Sequence, residues 1–180
     1  MLVCPTDAIS ERQIPIGNVE SGAADGVKFV QGRLNIGDVR TPALIKKVKE
    51  KMSNDGLVII DAPPGTSCPV IEAIEGIDFC LLVTEPTPFG LNDLKLAVDM
   101  VKELKLSFAV VINRSDLGDD KVHRYCDEED IEVILEIPDD RRIAEVYSTG
   151  SMIVDVLPEY RNNFLRLYEN LTQKKVSRKV

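Results

Sequence analysis

Leu57-Val58-Ile59-Ile60-Asp61-Ala62-Pro63-Pro64-Gly65-Thr66 is the stretch that decides which fold this chain adopts. Four consecutive apolar residues predict a strand over 57–62 covered on both faces, because a half-exposed strand alternates apolar and polar side chains. Asp61 then emerges at the carboxyl end of that strand, where open α/β sheets gather their ligands. A carboxylate in that position can hold a magnesium ion through water, since magnesium gives up its hydration shell reluctantly. Pro63 and Pro64 stiffen the exit. Gly65 lets a backbone N–H approach a terminal phosphate that a Cβ would hold off. Turn chemistry alone also accounts for Asp-Ala-Pro-Pro-Gly, but a strand and a loop of this kind in succession favour the metal-and-phosphate reading.

The chain contains no Gly-Lys-Ser or Gly-Lys-Thr, so no phosphate-cradling loop of the usual form is present. Gly22-Ala23-Ala24-Asp25-Gly26-Val27-Lys28 imitates one, but its spacing is wrong and no Ser or Thr follows the lysine. The sequence therefore carries half of a nucleotide site.

Downstream of residue 41 the pattern alternates helix and strand. Thr41-Pro42 opens a helix, with Thr as cap and Pro in the first turn, and Ala43, Leu44, Val48 and Met52 face inward along it. After the strand at 57–62 come a short helix at 69–76, a strand at 79–84 and an amphipathic helix at 91–105. Then follow a strand at 108–113, an acidic helix at 119–129, a strand at 131–137, and helices at 139–148 and 159–175. Continuous apolar strands alternating with helices predict an α/β fold, a mostly parallel sheet of at least four strands with helices on both faces. Residues 1–40 are richer in glycine, and 28–36 alternates like a half-exposed strand. Those forty residues read as an irregular N-terminal segment, and 41–180 as the α/β domain.

Composition narrows the function classes. The 180 residues are 44% hydrophobic and 29% charged, enough for one buried core. A net charge of −8, from 22 basic and 30 acidic residues, argues against a nucleic-acid partner, which needs a basic face. No apolar run reaches the length of a membrane span, and the N-terminus lacks the form of a signal peptide, so a cytoplasmic location is expected. Cys4, Cys68, Cys80 and Cys126 form no spaced disulfide framework. Cys80 reads as core, Cys126 as incidental on a charged helix, and Cys68 as an ordinary loop thiol. His123 lies on a charged helix with no metal-binding partner at ligand spacing, and reads as a surface residue.

Three motifs in this order, Asp61–Thr66, Val83-Thr84-Glu85-Pro86-Thr87 and Val110-Val111-Ile112-Asn113-Arg114, resemble the MinD/ParA-type deviant P-loop ATPases. Val3-Cys4-Pro5-Thr6-Asp7-Ala8-Ile9 resembles the last cysteine of a ferredoxin cluster motif. Asn35-Ile36-Gly37 and Gly65-Thr66-Ser67-Cys68-Pro69-Val70 resemble segments that follow the insert in the ferredoxin-containing branch of that superfamily. The resemblance implies ATP and magnesium as cofactors, an iron–sulfur cluster in the parent family, and nucleotide sandwiched between two subunits. It places magnesium, through water, on Asp61 and the terminal phosphate on the Gly65 N–H, with Pro63, Pro64 and Thr66 shaping that loop. Glu85 lies beside the phosphate end, Asn113 and Arg114 at the base, and Pro138-Asp139 along the base pocket. Cys4 stands as a possible iron–sulfur remnant. Since the P-loop and the other cluster cysteines are missing, the resemblance implies the C-terminal switch and base-binding part of such an ATPase, inactive alone. It is expected to self-associate or to meet a chain that supplies the P-loop.

Several residues keep a second reading. Asn113-Arg114-Ser115-Asp116 mimics a guanine reader, in which Asp116 would accept from the base, though Asp116 serves equally to open a loop. Asp139-Asp140 also reads as a helix cap. The C-terminal helix carries an apolar stripe (Tyr160, Phe164, Leu167, Tyr168, Leu171), and its cations follow the stripe instead of flanking it, which argues against membrane binding. The alternatives for the whole chain are a non-catalytic interaction or regulatory subunit that retains the fold, and an electron-transfer accessory.

Overall fold

Three of the four expected strands pair, and in the order the helical crossovers dictate. In the computed structural model, which describes residues 8, 12–53 and 56–176, β3 (Cys80–Thr84), β4 (Phe108–Asn113) and β5 (Val133–Ile137) form a parallel sheet in the order β3-β4-β5. The register sets Thr84 against Ile112 and Asn113 against Ile137, so all three strands end at one rim. Helices α3 (Pro88–Glu103) and α4 (Lys121–Glu128) are the crossovers. Beyond β5 lie α5 (Arg141–Ser148), a single turn α6 (Ile153–Val156) that periodicity did not signal, and α7 (Pro158–Val176). The fold is α/β, a parallel sheet flanked by helices.

Fully buried residues at helical spacing on α3 (Leu94, Val98, Val101) and continuous apolar residues on β4 (Ala109–Ile112) build the core. Val122, Cys126 and Ile131 close it from the α4 side. Cys126 is thus a packing residue, because α4 is amphipathic and its two buried positions, Val122 and Cys126, are one turn apart. Burial pushes its thiol up to about 11, with Asp127 adding to the shift, and burial likewise raises the Cys80 thiol. His123 is not bare surface: its Nε2 lies 3.2 Å from a Glu136 carboxylate oxygen on β5, a neighbour in space that sequence spacing could not reveal.

Contacts divide the chain after Glu75 into two compact units. In the first, β1 (Gly17–Ala24) and β2 (Val27–Leu34) form an antiparallel hairpin, which resolves the glycine-rich start of the chain. Helix α1 (Thr41–Lys49) packs on the hairpin, and α2 (Cys68–Ile74) packs on α1. Leu44, Val70, Ala73 and Ile74 are buried. Ala43 is exposed and Met52 is 40% exposed, contrary to the inward face expected for them. Lys49 Nζ donates to the carbonyls of Glu72 and Glu75, both at 2.7 Å, and so satisfies the end of α2.

The strand expected over 57–62 does not form. Its residues carry no regular secondary structure and no ladder, and Leu57 and Ile59 are 62% and 83% exposed. A doubly covered parallel strand needs a neighbour to pair with, and among the described residues none pairs with it. Edge strand β3 shows the complementary deficit. Its Cys80 N–H bonds to Ser107 O at 2.8 Å, and parallel pairing alternates sides, so Leu81 and Val83 turn their backbone groups to the open edge. Val83 is 68% exposed there.

Among the described residues, burial of Cys80 and Cys126 and exposure of Cys68 give a direct test of this packing. Maleimide should modify Cys68 in the native protein, whereas Cys80 and Cys126 should react only as the chain unfolds in urea. Peptide mapping after a brief pulse distinguishes them, and rapid native labelling of Cys126 would be incompatible with the core described.

Candidate functional site

The carboxyl rim of the second unit's sheet gathers Glu85, Asn113, Arg114, Asp116, Pro138, Asp139 and Asp140, all singled out in the sequence. The first loop leaves β3 at Thr84, whose hydroxyl donates to the Gly90 carbonyl at 2.9 Å, while Thr87 Oγ1 caps α3 by accepting from the Gly90 N–H at 3.0 Å. Two glycines hold this loop down. A Cβ on Gly90 would lie 2.2 Å from the Glu85 carbonyl oxygen, and one on Gly118 (φ +78°) would lie 1.9 Å from that of Pro86. Neither glycine stands out in the sequence, because close approach is a property of the partner. Pro86 is fully buried as a result.

The second loop leaves β4 at Asn113. Asn113 Nδ2 donates to Glu85 Oε1 at 3.5 Å. Arg114 adopts a left-handed backbone (φ +53°). Its Nε donates to Asp139 Oδ1 at 2.9 Å, and its Nη1 lies 3.9 Å from Glu85 Oε2. Asp139, and then Glu85, hold the guanidinium's protons more firmly than usual. Asp116 Oδ1 accepts from the Asp139 N–H at 2.6 Å, and Ser115 N–H donates to the Ile137 carbonyl at 2.9 Å. The loops after β3, β4 and β5 are therefore laced together by one amide, one guanidinium and three carboxylates. Glu85 stands with Asn113, and one Asp116 oxygen braces the Asp139 loop.

The third loop follows β5. Asp140 N–H donates to the Pro138 carbonyl at 2.9 Å, and the Asp140 side chain caps α5 by accepting from Arg142 N–H at 2.9 Å. The Arg142 guanidinium lies against the same carboxylate and reaches Glu159 at 3.0 Å. Tyr160 Oη donates to Asp140 Oδ2 at 2.9 Å, tying α7 to this loop. The cap thus falls on Asp140 and leaves Asp139 to the Arg114 pair.

In the first unit, Asp61 is exposed on the unpaired segment, Pro63 is half-buried, and Pro64 and Thr66 are exposed. Gly65 has φ +93°, with nothing within 4 Å of where a Cβ would stand. Asp61 and Gly65 are both open to solvent, and a magnesium ion that keeps most of its waters needs only one or two carboxylates from the protein. No group of three metal-binding side chains occurs among the described residues. Among the described residues the cysteines do not supply a cluster: Cys80 and Cys126 are core residues with raised thiol pKa, which leaves Cys68 alone where four thiolates are required. Cys4 lies outside the described residues.

Comparisons place this geometry among known proteins. No family model matches the chain. It is 31% identical over 144 residues to an uncharacterized protein of Methanocaldococcus jannaschii, covering 79% of this chain and 50% of that one. It is 28% identical over 156 residues to an iron-sulfur cluster carrier protein of Aquifex aeolicus, covering 74% and 43%. In structure it is similar to the cell division ATPase MinD of Pyrococcus furiosus, with TM-score 0.56 and 26% identity over 74% of this chain and 57% of that one. These similarities support a MinD/ParA-type family. The chain spans about half the length of the curated relatives it matches.

The Asp140 cap makes the rim acid-sensitive. Its hydrogen bonds from the Arg142 side chain hold the carboxyl down to about 2, below the ordinary value of 3.8. A group with a depressed folded pKa adds stability that is full above the unfolded value and is lost as pH falls toward about 2. Asp140→Asn should therefore flatten the decline in thermal midpoint between about pH 4 and pH 2, and an unchanged acid limb in differential scanning calorimetry would contradict the cap.

Proposed function

We propose that this chain is the C-terminal switch and base-binding part of a MinD-like ATP-binding and ATP-hydrolysing protein associated with iron–sulfur chemistry, inactive alone. The observation that carries it is the joining of the loops after β3, β4 and β5 at one carboxyl rim, through Glu85 with Asn113, Arg114 with Asp139 and Asp116 with the Asp139 backbone, in a chain similar to an iron-sulfur cluster carrier protein and to MinD. Asn113 contacts the adenine, and Pro138 and Asp139 line its pocket. Asp61 holds hydrated magnesium, which neutralises charge on the phosphates, and the Gly65 N–H senses the terminal phosphate. Helix α2, which begins three residues later, passes that state onward.

The phosphate loop and its lysine come from polypeptide other than these 180 residues. Phosphoryl transfer is mostly positioning and charge stabilisation, so this chain has no turnover of its own. The open edge of β3 and the unpaired run at 57–60 are consistent with a missing strand. Residues 1–40 follow the ferredoxin insert in this reading. The cluster resides elsewhere in the full assembly, because the described cysteines of this chain do not supply one.

Equilibrium dialysis with labelled ATP and GTP in magnesium tests the reading. ATP should bind weakly and more tightly than GTP, and Asp61→Ala should weaken magnesium-dependent binding by about tenfold or more, the equivalent of about 1.4 kcal/mol. No nucleotide binding, or binding indifferent to both magnesium and Asp61, would leave a fold-retaining interaction subunit as the better description.

A further inference from the structure

We propose that Glu85 sets the orientation of the Asn113 amide, so that the base pocket accepts a 6-amino purine and rejects a 6-keto one. This rests on the base-binding reading given above. An asparagine amide is two-faced: its oxygen only accepts and its nitrogen only donates, and rotation by half a turn exchanges them. Left free, it greets adenine or hypoxanthine equally well. A carboxylate beside it removes that freedom, because a carboxylate only accepts. Glu85 Oε1 lies 3.5 Å from Asn113 Nδ2, so the NH2 end is drawn to Glu85 and Oδ1 turns the other way. The pocket then meets an acceptor oxygen, which pairs with an exocyclic amine and opposes a carbonyl oxygen.

Glu85 is itself held. Its second oxygen faces Arg114 Nη1 at 3.9 Å, the Arg114 Nε is anchored on Asp139 at 2.9 Å, and the Asp139 backbone is fixed by Asp116 at 2.6 Å. Gly90 and Gly118 pin the Glu85 and Pro86 carbonyls from below. Asn113 is thus oriented by a chain of contacts that starts on another loop. Glu85 is a positioning residue, acting through the amide and not on the base.

Glu85→Gln is the informative variant: it keeps the size of the side chain, yet offers both a donor and an acceptor, and so releases the amide. In competition binding with MgATP and MgITP, which share all but the 6-substituent, the wild-type chain should prefer ATP by about tenfold, the discrimination typical of one amide–purine pair. Glu85→Gln should bring that ratio close to one. A variant that binds both more weakly at an unchanged ratio would overturn the proposal and leave Glu85 as mere scaffolding. A wild-type chain that binds neither nucleotide would sink the base-binding reading instead. Orientation is then decided by NMR, where the Asn113 side-chain NH2 resonances should shift and exchange faster in Glu85→Gln, and resonances that stay put would overturn it.

Discussion

The register between β3, β4 and β5 is the constraint on which the rest depends. Parallel pairing carries each strand to the same rim, and the levels Thr84–Ile112 and Asn113–Ile137 are fixed by ladder bonds and by apolar side chains on the covered faces. A slip of one residue would turn Val110 and Ile112 to the other face of the sheet, away from the cluster they form with Leu94, Val98, Val122 and Cys126. It would also carry Asn113 away from Glu85. The packing of α3 and α4 against this sheet is thus also what sets the spacing of the polar groups above it.

Those polar groups are half exposed, so individual ion pairs there contribute little to stability. Their value is geometric. Glu85, Arg114, Asp139 and Asp116 arrive on three loops and restrain one another, while Asp140 and Tyr160 link the last loop to α7. Loops positioned by a rigid sheet are where binding residues usually sit, and here the contacts between them fix which end of an amide each neighbour meets.

Much of this was legible in the sequence. Helical spacing in residues 91–105 and apolar runs at 79–84 and 108–113 are local signals, and the α/β fold follows from their alternation. The place of Asn113 at the end of its strand was legible too, whereas the pairing of Arg114 with Asp139 across two loops was not. Properties that depend on a second segment were not legible. Leu57–Ile60 has the composition of a strand, but a strand is defined by its neighbour. Cys126 sits among charged residues in sequence and in the core in space, and His123 meets Glu136 only after folding. The close approaches at Gly90 and Gly118 belong to the carbonyls that face them.

The uncovered apolar run at Leu57–Ile60 also bears on how the polypeptide behaves in concentrated solution. Four β-prone residues fall short of the six or seven that stack into cross-β assemblies, and Asp55 and Asp61 flank them as gatekeeper charges, with Pro63 and Pro64 just beyond. Handled as a free species, the chain thereby carries its own guard at this run, because flanking carboxylates repel the like segment of a second copy before the two can pair edge to edge.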